Sequence, residues 1–154
     1  MFTLYILIKC LHIVAATIWF GGNFIIALLH LRAARSGDWE AVTTLGRQGG
    51  FVGGAVMAPA AAVALITGIV LTVQGGFRFD MVWIVWGLVG LILSWFVLSA
   101  TLIRKAGIEL GRAAQEGGPA DPRVAGLHRR MMRLTFLNLA VLLSVLVVMV
   151  AKPV

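Results

Sequence analysis

Three histidines, His12, His30 and His128, hold most of the chemistry available to this chain of 154 residues. An imidazole can ligate a heme iron or a metal ion, and one set inside an apolar segment needs a partner for its ring nitrogens. His12 and His30 are 18 residues apart. That is five full helical turns, so one helix presents both from the same face, and Trp19 and Asn23 fall close to that stripe. At 1.5 Å per residue the two imidazoles stand about 27 Å apart. They cannot share one metal or one heme. His30 and His128 lie at a common depth, and meet there if the first and last apolar segments are neighbours. A bis-imidazole heme or a metal ion is then geometrically feasible at that level.

Other chemistries are poorly provided for. All six carboxylates (Asp38, Glu40, Asp80, Glu109, Glu116, Asp121) fall in connecting segments, which leaves no acid in the apolar stretches to relay protons. There is no phosphate-binding glycine loop, no HExxH and no serine nucleophile motif. The single cysteine, Cys10, excludes an internal disulfide and is expected to pack as a small apolar residue. At the depth of His12 the other segments bring roughly Ala64–Ile66, Val89–Leu91 and Leu142–Ser144, with no carboxylate, thioether or second imidazole among them. A heme on His12 is therefore five-coordinate, completed by an exogenous ligand, or completed by a second protomer. Met57 falls too far toward the His30 level to pair with His12.

The elements that must position these residues are legible from hydropathy. The chain is 60% hydrophobic and 12% charged, with a mean hydropathy of +0.99, far from a soluble composition. Four apolar segments, about residues 3–29, 51–73, 81–103 and 131–151, are each long enough to span a bilayer. The expected fold is an all-α, integral membrane four-helix bundle forming a single domain, with cytoplasmic loops at about 30–50 and 104–130. The start lacks a basic n-region and an A-x-A-like site, so the first segment reads as a retained helix. Ten basic residues lie in or beside the first and third loops, against only Lys9, Arg78 and Lys152 on the other side. That bias puts the two long loops in the cytoplasm and both termini on the non-cytoplasmic side. The net charge of +7 is then explained by topology and anionic headgroups rather than nucleic acid. Gly49/Gly53 and Gly50/Gly54 form small-xxx-small pairs suited to close helix packing or a homo-oligomer. Pro59 predicts a kink.

The first segment, Lys9-Cys10-Leu11-His12-Ile13 … Trp19-Phe20-Gly21-Gly22, resembles the opening of a group of small bacterial membrane proteins. The group contains the copper-resistance protein D family, an uncharacterised four-helix family, and the membrane protoporphyrinogen oxidase of heme synthesis. Arg133 … Asn138 … Val150-Ala151-Lys152-Pro153 is similar to the end of that oxidase, although Leu139 stands where the oxidase has a glutamate. The resemblance implies heme b on His12 and a multi-pass protein of the bacterial inner membrane. The expected function is thus b-type heme binding with an electron-transfer or heme-handling role; Trp19, Asn23, His30 and His128 join His12 as candidate cofactor residues. Alternatives are a protoporphyrinogen-oxidase-like enzyme, a copper-handling protein and an accessory subunit of a respiratory complex.

Overall fold

The computed structural model describes residues 2–152; Pro153 of the Val150-Ala151-Lys152-Pro153 ending lies outside them. Among the described residues there is no strand. α1 (Phe2–Arg35) is followed by α2 (Trp39–Val52) and α3 (Ala58–Gln74), joined end to end through a π-helical stretch at Gly53–Met57. α4 (Val82–Ile92) continues through a second π-helical stretch, Leu93–Ile103, into α5 (Arg104–Gly117), and α6 (Pro122–Ala151) completes the chain. The result is four long helices, Thr3–Arg35, Trp39–Gln74, Val82–Gly117 and Pro122–Ala151, each long and apolar enough to cross a membrane.

These helices run well past the limits that hydropathy alone sets. A helix of 36 residues is about 54 Å long, against about 30 Å for the hydrocarbon core. Segments expected as loops at 30–50 and 104–130 are therefore mostly helix, and the true turns shrink to Ser36–Asp38 and Gly118–Asp121. Each of these two turns passes through a glycine at positive φ, Gly37 at 72° and Gly118 at 81°, a region costly for residues with a Cβ. The next helix then starts on an aspartate cap. Asp38 accepts from the Ala41 amide at 2.9 Å and Asp121 from the Arg123 amide at 2.8 Å. The Arg123 side chain also donates to Asp121 and holds its carboxyl below the usual carboxylate range.

The two π-helical stretches have separate causes. Pro59 has no amide hydrogen to give the carbonyl one turn before it, and the chain answers with a wider turn in which the Ala58 amide donates to Gly53. In the second stretch, residues five apart share a face. That brings Ser94 and Ser99 together onto the fully buried Asn138 of α6: Ser94 Oγ donates to Asn138 Oδ1 at 2.6 Å, and Asn138 Nδ2 donates to Ser99 Oγ at 3.2 Å.

α1 packs chiefly along α3, and α6 along α4 and α5, with α1–α6 and α2–α5 contacts closing the ring. The core is layered. One layer joins Trp19, Met57, Ala61, Leu91 and Leu142; the next joins Ala27, Ala106, Met131, Met132 and Leu139; the last, near the interhelix turns, joins Ala33, Val42, Leu110 and Val124. Large apolar side chains such as Leu7, Leu11, Ile25, Ile66 and Val147 point outward, as expected where the solvent is lipid. Cys10 is exposed on α1 rather than packed inside. At the end of the bundle that carries the termini, Lys152 sits 5.5 Å above the Phe77 ring and 5.4 Å above Trp83, tying the end of α6 to the turn between the second and third helices.

The glycine pairs entering the second span do not make the intimate contacts expected of them. A Cβ at Gly50, Gly53 or Gly54 would meet nothing within 4 Å, whereas one at Gly22 would lie 2.7 Å from Met57 Cε and one at Gly68 3.2 Å from His12 Cε1. Close approach is made by glycines deeper in the bundle.

Candidate functional site

His12 projects from α1 toward α3 in the half of the bundle that carries the termini. Its Nδ1 is 2.9 Å from the Ala64 carbonyl and 3.0 Å from Thr67 Oγ1. A carbonyl only accepts, so Nδ1 carries the proton. The Thr67 hydroxyl spends its own hydrogen on the Val63 carbonyl at 2.6 Å, and so it also accepts from Nδ1. These contacts fix one tautomer: Nε2 keeps a lone pair, and no group among the described residues donates to it. Gly68 lies flush against the ring, with room for little more than a hydrogen. His12 is held by backbone and hydroxyl from the facing helix. Sequence reasoning placed the facing residues at Ala64–Ile66 and stopped one short of Thr67, an isolated hydroxyl in an otherwise apolar run.

The stripe along α1 is real, but its members do different things. Trp19 is buried in the central layer against Met57, which is drawn over Gly22. Asn23 turns back on its own helix and donates Nδ2 to the Trp19 carbonyl at 2.8 Å, so it reaches neither histidine.

At the other end, His30 and His128 do meet. Their ring centroids are 5.6 Å apart with the planes inclined by 35°, and Trp39 stands edge-on to His128 at 5.9 Å. Both imidazoles are only 3% exposed. His30 Nδ1 and His128 Nε2 are buried without any hydrogen-bond partner. Trp39 covers this pair from the first turn of α2.

No cluster of three or more histidine, cysteine, aspartate or glutamate side chains occurs among the described residues. Two open surface grooves, one beside Asp80, Val85 and Trp86 and one beside Glu109, Arg112 and Arg123, touch none of the histidines. The model of a family of predicted integral membrane proteins, DUF2269, matches residues 6–153. The chain belongs to that family. No curated protein and no solved structure matches this DUF2269 chain.

Proposed function

We propose that this DUF2269 protein binds heme b in the membrane, with His12 as axial ligand and one-electron transfer or heme handling as its task. The observation that carries the reading is the fixed tautomer of His12. Imidazoles that ligate a metal commonly donate their other N–H to a carbonyl, which orients the ring and raises the basicity of the ligating nitrogen. His12 has that arrangement, with Ala64 and Thr67 on Nδ1 and the lone pair on Nε2. A group with this geometry is ready to take an iron centre without rearranging its supports.

The donor chemistry fits heme; the place for the macrocycle is on the periphery. α1 is the most lipid-facing of the four helices, with Leu7, Leu11 and Val14 exposed around His12. A flat apolar cofactor held by His12 would cover part of that surface, and a second copy of the chain would cover the rest. Glycines facing open space on the second helix suit such an assembly. Bound there, heme supplies the redox chemistry, and the chain supplies ligand, orientation and exclusion of water. The basic end faces the cytoplasm and both termini face away from it, in a bacterial inner membrane, on the strength of the ten-to-three distribution of basic residues.

The test is a pyridine hemochrome assay on protein purified from heme-replete cells. About one heme b per chain in the wild type, with at least a tenfold loss in His12→Ala, is the expected result. A colourless wild-type protein would sink the reading.

A further inference from the structure

The His30–His128 pair is left unexplained by a heme at His12, which lies about 27 Å away along α1. Its surroundings are unusual for polar groups. On α1, His30 sits between Ala27 of one apolar layer and Ala33 of the next; on α6, His128 sits between Val124 and the adjacent Met131 and Met132. The pair thus occupies a thin polar level sealed above and below by packed apolar side chains, with Trp39 against its edge. A buried nitrogen with no partner costs about 1–3 kcal/mol, and this level contains two. The rings do not hydrogen-bond to one another. Unpaired groups of this kind call for an ion or a water that completes them.

The donor set narrows the choice. An imidazole nitrogen stands about 2 Å from a metal it ligates, so two rings gripping one ion from opposite sides have centres roughly 6 Å apart. The observed 5.6 Å is shorter than that, so an ion held in line between the rings requires them to part by about half an ångström. No carboxylate joins the two imidazoles among the described residues to offset a double charge: Asp38 and Asp121 are spent as helix caps, Glu40 is exposed, and Glu109 and Glu116 pair with Arg130 and Arg123 at the surface. A divalent ion with two neutral ligands in an apolar layer is a poorly compensated buried charge. A monovalent ion that accepts two neutral ligands and tolerates a soft, dry setting fits much better. A porphyrin does not fit, because with both side chains 3% exposed a macrocycle would have to force α1 and α6 apart.

We infer that His30 and His128 form a two-coordinate site for a monovalent copper ion, Cu(I), between α1 and α6 at the basic end of the bundle. The site is independent of heme at His12 and stands or falls separately. Met131 and Met132, buried in the adjoining apolar layer, help to keep this level dry.

The experiment is an anaerobic competition between the purified full-length protein and a chromogenic Cu(I) chelator. Wild type and His12→Ala are expected to withdraw one Cu(I) per chain. His30→Leu and His128→Leu are each expected to lose that binding by at least a hundredfold while eluting as wild type on size exclusion. X-ray absorption of wild-type protein loaded with one equivalent keeps the test decisive if either variant fails to fold. A shell of two nitrogen donors with the edge feature of two-coordinate Cu(I) supports the site. A wild type that takes no copper, a sulfur-dominated shell, or leucine variants that bind as well as wild type would overturn it and leave a buried water as the partner of these nitrogens.

Discussion

The two polar levels of the bundle are built in opposite ways. At His12 a single imidazole is half-buried and held by two groups on the facing helix, so one nitrogen is committed and the other is left with a lone pair. At the basic end two imidazoles are almost completely enclosed, and neither has its buried nitrogen committed to anything. The first arrangement is a supported ligand, already oriented. The second is a set of donors waiting for something between them. Burial alone therefore says little about what a histidine in a membrane protein does; what its second nitrogen touches says much more.

The largest effects should separate the levels completely. His12→Ala is expected to remove heme and leave the Cu(I) competition unchanged, whereas His128→Leu should do the reverse; hemochrome and chelator assays on both variants read this out. Loss of both ligands in either variant would show that the levels are not separate. Next, Thr67→Val removes one of two acceptors from Nδ1 and should weaken heme retention roughly tenfold, measured by heme transfer to an apo-globin acceptor. A smaller contrast concerns stability. His12→Leu removes the donor shared by Ala64 and Thr67 and should cost about 1 kcal/mol. His128→Leu removes an unpaired buried nitrogen and should leave the metal-free protein as stable or more so. Thermal denaturation in detergent of copper-free samples compares the two.

Away from both levels, Asn138→Leu breaks the link to Ser94 and Ser99 and should cost about 1 kcal/mol, between the average of about 0.6 and the maximum of about 1.7 kcal/mol for interhelical hydrogen bonds in membranes. Heme and copper stoichiometry should not move. A loss of either cofactor in that variant would mean that the central network, not the local contacts, sets the site.

How much of this was legible beforehand follows from which forces act locally. Four apolar segments and the common face of His12, Trp19 and His30 are properties of single stretches, and hydropathy and helical period reveal them. The extension of the helices beyond the apolar runs was not legible, because α5 and the start of α6 are amphipathic and acquire their apolar layer only by packing on Val42 and Ala33. Nor was the pairing of Ser94 with Ser99, since those residues share a face only in a π-helical register that hydrophobic periodicity does not announce. The meeting of His30 with His128 depended on α1 and α6 being neighbours, a matter of tertiary arrangement. Nor was it legible that Gly50, Gly53 and Gly54 face open space within the chain, because small residues permit close approach without requiring it.

Axial ligation is tested most directly by chemical rescue. His12→Gly should purify without the reduced-minus-oxidised spectrum of a b-type heme, and adding heme with free imidazole should restore it, the small molecule taking the place of the missing side chain. A His12→Gly protein that keeps the wild-type spectrum without imidazole would contradict ligation by His12.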